Sequence, residues 1–136
     1  MANPITLRII TPDAVALDQT VDSVVLPGLD GKLGVLSGHA TMVTALDAGE
    51  LRFKSGSSEE AMFVAGGFAE VRDNTLRVVT EASERASDID VARAEAALKR
   101  AKERLAAKAT EVDSLRAEAA MRRATMRLTL TRTRGH

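Results

Sequence analysis

Cysteine, tryptophan and tyrosine are all missing from the 136 residues, and aromatic side chains make up only 2% of them. Without cysteine there is no disulfide framework and no thiolate-held zinc or iron–sulfur site. Three phenylalanines are too few for the stacking platform of a single-strand nucleic-acid binder. No apolar run approaches the roughly 20 residues that a membrane-spanning helix needs. The segment Met1-Ala2-Asn3-Pro4 has no basic stretch leading into an apolar one, so no secretory signal is expected. These absences point to a soluble, cytoplasm-type chain. Net charge is missing too, since 19 Lys/Arg balance 19 Asp/Glu.

That balance hides a division. Residues 1–87 hold 7 Lys/Arg against 12 Asp/Glu, and residues 88–136 hold 12 against 7. All three prolines, all three phenylalanines and eight of nine glycines precede residue 70, whereas the last 49 residues carry 12 alanines. Glycine and proline mark turns, and alanine with Lys, Arg, Glu and Leu favours helix. The expectation is an antiparallel β-sandwich over residues 1–86, then an antiparallel helical hairpin over 87–136.

In the first part, strand-like runs recur about every ten residues, the spacing of a sandwich or barrel. They cover 5–10, 14–17, 23–26, 32–36, 41–46, 50–54, 61–65, 69–72 and 75–80. Leu7 and Ile9 flank Arg8, Leu51 and Phe53 flank Arg52, and Leu76 and Val78 flank Arg77, so one face of each strand is buried. Leu29-Asp30-Gly31, Asp47-Ala48-Gly49, Lys54-Ser55-Gly56-Ser57-Ser58 and Asp73-Asn74 read as turns. No helical stretch separates the runs, which argues against a parallel βαβ sheet.

Catalytic signals are weak in this part. The glycine-rich segment from Gly28 to Gly34 contains Gly31-Lys32, but Leu33 stands where a phosphate-binding loop needs Ser or Thr and a helix start. His39 is the only histidine besides His136 and has no evident ligand set or nucleophile, which favours a structural or interface role. Gly66-Gly67 reads as a close backbone approach or a bulge.

In the second part, Ser87-Asp88-Ile89-Asp90 reads as a near capping box opening a helix, with acidic charge at its N-terminus. Val91, Ala94, Leu98, Ala101 and Leu105 then keep helical spacing. Regularity fades across residues 106–110, Thr110 offers a second cap, and Val112, Leu115, Ala119 and Met126 form a second stripe. Thin, alanine-rich stripes bury little surface, so the hairpin is expected to be marginally held and a candidate moving part. The arginines are the most informative feature. Arg93, Arg100 and Arg104 are spaced 7 and 4, and Arg116, Arg123 and Arg127 repeat that spacing, with Ala97 and Ala120 in the gaps. Guanidinium forks so arranged can grip phosphate, but by spacing alone a solvated charged face, partly neutralised by Glu95 and Glu103, is the favoured reading. A basic hairpin also suits nucleic acid, but the sequence pI of about 6.7 and the acidic first part oppose that partner. A small enzyme is least supported, because His39 lacks partners for chemistry.

Val25-Leu26-Pro27, Gly31-Lys32-Leu33-Gly34-Val35-Leu36-Ser37-Gly38-His39-Ala40 and Ala65-Gly66-Gly67-Phe68-Ala69-Glu70-Val71 together resemble the epsilon subunit of bacterial F-type ATP synthase. The resemblance covers nearly the whole chain, with Ser37 and Thr41-Met42 departing where proline is common. It implies a non-catalytic rotor subunit of a proton-translocating complex, with a ten-stranded β-sandwich docked on the central stalk. The implied partners are the gamma subunit, the c-subunit ring and the catalytic alpha/beta head, with membrane association only through the complex, on the cytoplasmic face of the inner membrane. Asp30, Lys32, Ser37 and His39 are the implied subunit-interface positions. The C-terminal helices are implied to restrain ATP hydrolysis when extended and to release it when folded. Some members bind ATP on the folded hairpin, and their motif stands here as Ile89-Asp90-Val91-Ala92-Arg93-Ala94. By that resemblance the ATP-binding residues are Glu84, Asp90, Arg93, Ala94, Arg100, Arg123 and Arg127, with Ala94 beside the base. ATP acts as a regulatory ligand and not as a catalytic cofactor, with magnesium left open.

Overall fold

The computed structural model describes residues 4–107 and 110–134. His136 and part of the 106–110 connection therefore lie outside the described residues. The chain forms two compact units, Met1–Glu84 and Arg85–His136.

The first unit contains β1 (Ile5–Ile10), β2 (Val15–Val21), β3 (Ser23–Gly28), β4 (Gly31–Leu36), β5 (Met42–Ser55), β6 (Ser58–Arg72), β7 (Thr75–Val79) and β8 (Ser83–Arg85). Sheet order is β2-β1-β7-β6-β5-β3-β4, with β8 paired to β6. Every pairing along that path is antiparallel except β1 with β7, which is parallel. One core gathers Leu7, Leu17, Val24, Val35, Phe53, Met62 and Leu76 from strands β1 to β7.

The sheet becomes two layers because β5 and β6 change phase midway. In β5 the core-facing residues are Met42 and Leu46, then Leu51 and Phe53. In β6 they are Met62 and Val64, then Ala69 and Val71. An even interval within each pair and an odd one between them means that the strand turns its other face inward partway along. Gly66 and Gly67, at φ +94 and +100, lie at that change in β6. A β-carbon on Gly67 would fall 2.0 Å from the Val79 carbonyl oxygen, so the close approach expected there is present.

Two consequences differ from the sequence reading. Asp47-Ala48-Gly49 is not a turn: Ala48 pairs with Ala65 and Gly49 with Val64, so 41–46 and 50–54 merge into one strand. Likewise 61–65 and 69–72 merge through the glycine pair. Local turn propensity yields here to a ladder of cross-strand hydrogen bonds. Eight strands result, and dividing β5 and β6 at their phase change gives the ten that the resemblance implies. The glycine-rich segment after Pro27 closes the β3–β4 hairpin, with Gly28 opposite Gly31 and no helix following. A surface ladder links Arg52 to Glu50 and Glu59, both at 2.7 Å, and chiefly the bond to Glu59 raises the Arg52 pKa.

Among the described residues of this unit, Thr80 is the buried polar side chain, at 3% exposure. Its Oγ1 accepts from the Ala65 N–H at 3.0 Å and donates to the Ala82 carbonyl at 3.2 Å. The Ala65 N–H also reaches the Ala82 carbonyl at 3.0 Å, so neither group is stranded when the hydroxyl is lost. Thr80→Val is therefore expected to cost only about 1–2 kcal/mol, the net worth of two hydrogen bonds whose partners keep each other. Urea unfolding checks this as a lower midpoint at unchanged slope.

Candidate functional site

The second unit starts with a short 3-10 turn (Ala86–Asp88), followed by α1 (Val91–Ala106) and α2 (Glu111–Arg134). Ser87 falls inside the 3-10 turn and does not cap α1. The cap is Asp90, whose Oδ1 accepts from the Arg93 N–H at 3.0 Å. The carboxylate lies closer to the helix start than the serine does and suits the positive end of the dipole. Thr110 caps α2 as expected, its Oγ1 accepting from the Asp113 N–H at 3.2 Å.

The two helices pack on each other, and the short connection makes them antiparallel. Their seam is alanine. Ala94 and Ala101 on α1 and Ala117 and Ala124 on α2 are each 3% exposed or less. Both pairs are seven residues apart, close to two helical turns, so Ala94 faces Ala124 and Ala101 faces Ala117. Val91, Val112 and Leu115 are instead exposed at 42%, 57% and 59%, and Ala119 is exposed too. The expected second stripe is thus displaced to Ala117, Ala124 and Leu128, with Met126 half-buried. Small residues let the axes approach to the lower end of the roughly 8–10 Å range, and the larger side chains are pushed to the flanks. Ahead of the start of α1 the 3-10 turn packs on α2, and Ile89 is buried.

This seam orients the arginines. At about 100° per residue, Arg93, Arg100 and Arg104 lie roughly 80–120° round α1 from the alanine line. Arg116, Arg123 and Arg127 lie roughly 80–120° round α2 in the same rotational sense. For two right-handed helices running in opposite directions, equal rotations from the contact line lead to the same flank. Both ridges therefore share one side of the hairpin, with half-buried Ala97 and Ala120 between them. Glu95, Glu103, Glu111 and Glu118 turn to the other flank or to the back. Arg93 stands level with Arg123 and Arg127, and Arg100 follows about 10 Å toward the connection. Arg93 and Arg100 are exposed, whereas Arg123 and Arg127 are half-buried. Among the described residues, no carboxylate forms an ion pair with Arg93, Arg100 or Arg123.

Other expected positions fare differently. Ala94 belongs to the seam, so beside a ligand its effect is to set helix spacing and not to line the groove. Asp90 is engaged by the cap. Glu84 lies in β8, in the other unit. Asp30 and Lys32 sit at one end of β4 and Ser37 and His39 at the other, separated by about 16 Å of strand; they are two patches. His39 Nδ1 lies 2.9 Å from the Ala40 carbonyl. The opposite flank of the hairpin bears an open groove of about 410 Å³ lined by Leu105, Glu118, Met121, Arg122, Thr125 and Met126. The role of Ala117 and Ala124 was open to sequence reasoning, because their seven-residue spacing repeats that of Ala94 and Ala101.

Among the described residues, no helix is long and apolar enough to cross a membrane. Residues 4–86 match the β-sandwich domain of the ATP synthase delta/epsilon chain, and residues 87–131 match its long α-helix domain. The chain is 48% identical over 105 residues to the ATP synthase epsilon chain of Lawsonia intracellularis, covering 77% of this chain and 79% of that one. It is 47% identical over 108 residues to that of Carboxydothermus hydrogenoformans, covering 79% and 81%. A chain in the Euglena gracilis mitochondrial ATP synthase (OSCP/F1/c-ring) matches with TM-score 0.77 at 25% identity, covering 90% of this chain and 78% of that one. Together, the two-part architecture and these matches make the chain a non-catalytic member of the ATP synthase delta/epsilon family, of the epsilon type.

Proposed function

We propose that this chain is a central-stalk subunit of a proton-translocating F-type ATP synthase, peripheral on the cytoplasmic face of the membrane. Its β module joins the gamma subunit and the c ring to the catalytic alpha/beta head, and its helices restrain ATP hydrolysis when they extend. ATP binds the closed hairpin and favours the non-inhibitory state. One observation carries the nucleotide part: the two arginine ridges share one flank of the closed hairpin, with an alanine floor between them. Arg93, Arg123 and Arg127 form the nearer cluster for a polyphosphate, and Arg100 extends it. Separating the helices divides the ridges, so a ligand that spans both stabilises the closed form through its differential affinity. Nothing in this reading requires the chain to hydrolyse ATP.

Calorimetric titration of ATP into the whole chain and into Arg93→Ala tests this. A charge-assisted hydrogen bond is worth about 1.5–3 kcal/mol, so the variant is expected to bind roughly 10- to 150-fold more weakly, with unchanged helicity. Equal affinity in the two proteins overturns the assignment. A second reading, regulation without nucleotide sensing, is favoured by the structural roles of the motif, since Asp90 caps α1 and Ala94 packs in the seam. Absence of heat at millimolar ATP in the parent chain selects it.

A further inference from the structure

The turn between β4 and β5 is closed by the His39 N–H donating to the Leu36 carbonyl at 3.1 Å, with Gly38 at φ +81. A positive φ at the third position is that of a type II turn, whose second position favours proline because the ring pre-sets φ. Ser37 stands there and pre-sets nothing. The missing constraint comes from the β6–β7 turn, in the middle of the sheet path. Asn74 Oδ1 accepts from Ser37 Oγ at 3.1 Å and from the Gly38 N–H at 3.3 Å, so it holds both central residues of the turn. Asn74 is itself well anchored. It lies with Asp73 in a two-residue β6–β7 turn, both at positive φ, between the paired Arg72 and Thr75. Its Nδ2 donates to the Pro4 carbonyl at 2.9 Å, and its own carbonyl accepts from the Thr6 N–H at 3.2 Å. One side chain thus ties the 36–39 turn to the β6–β7 turn and to the start of β1.

We propose that Asn74 is a positioning residue for docking: it holds Ser37, Gly38 and His39 in the shape that meets a neighbouring subunit of the rotor. The proposal rests on the reading that Ser37 and His39 face such a subunit. The amide does at a distance what a proline ring does locally. Losing it frees the turn without disturbing the buried core, because Asn74 is not among the core residues.

The test uses the full chain and an ATP synthase complex from which this chain has been removed. Asn74→Gly keeps the left-handed backbone at no steric cost and removes the side-chain bonds to the 36–39 turn together with the one to the Pro4 carbonyl. The expected result is at least tenfold faster hydrogen exchange at the His39 amide and roughly five- to tenfold weaker rebinding to the complex. Adding Ser37→Pro to Asn74→Gly restores φ at the second position and is expected to recover most of both. Unaltered exchange in Asn74→Gly overturns the tether. Faster exchange with rebinding unchanged in both Asn74→Gly and His39→Ala shows instead that the interface reading fails, and the docking role falls with it. Weaker rebinding that Ser37→Pro does not recover, accompanied by a matching fall in Tm, marks a general loss of stability and also overturns the proposal.

Discussion

Gly67→Ala is expected to cost at least about 3 kcal/mol, a large fraction of the roughly 5–15 kcal/mol that holds an ordinary domain folded. Two effects combine. The backbone sits at φ +100, which a β-carbon makes costly, and the new methyl lies 2.0 Å from the Val79 carbonyl oxygen and 3.1 Å from the Thr80 α-carbon. These are backbone atoms of the adjoining ladder, where Phe68 pairs with Val79, so no side chain can rotate to make room. Gly66 is the internal control. Its φ of +94 is similar, but an added methyl meets the Leu46 carbonyl oxygen only at 3.4 Å, ordinary packing distance. Gly66→Ala then carries mainly backbone strain, about 1–2 kcal/mol. Urea titration of the two variants checks the difference; equal losses contradict the close approach as the dominant cause.

The second large effect is expected at the hairpin seam. Ala124 is 1% exposed and, in the antiparallel register, lies opposite Ala94, itself 3% exposed. Leucine there keeps helix propensity nearly unchanged, so the substitution reports on packing and not on helix formation. Overpacking costs about 1–3 kcal/mol, which shifts a closed–open equilibrium roughly 5- to 150-fold at tenfold per 1.4 kcal/mol. The alanine seam buries little area, so little closed-state stability is available to absorb that cost. Distance measurements between labels on exposed positions of α1 and α2 are expected to show a larger separated population, with total helicity preserved. Under the ATP reading the same variant also loses nucleotide affinity without touching an arginine. An unchanged distance distribution contradicts the close-packed seam.

Much of the architecture was legible in the residues. Period-two alternation placed Leu7, Ile9, Leu51, Phe53, Leu76 and Val78 inside, and all six are core residues. Composition separated strands from helices, and Thr110 marked the start of α2. The errors have local causes. Asp47-Ala48-Gly49 carries turn chemistry that the β5–β6 ladder overrides. Val112 and Leu115 attracted the reading because large apolar side chains dominate periodicity, whereas the seam selects the smallest ones. Serine favours a cap position, but Asp90 is nearer to the start of α1 than Ser87 and is charged, so it takes the cap.

By itself, the order of residues determined the two kinds of secondary structure, the alternation that makes one sheet face apolar and the seven-and-four spacing of the arginines, because these depend on neighbours within a few turns of chain. Only the tertiary structure decided that β1 runs parallel to β7 and that Asn74 reaches Ser37. It also decided that Ala117 and Ala124, and not Val112 and Leu115, line the seam and so carry both arginine ridges to one flank. Those outcomes depend on long-range pairing and on how closely two surfaces approach, and neither is encoded in a short window of sequence.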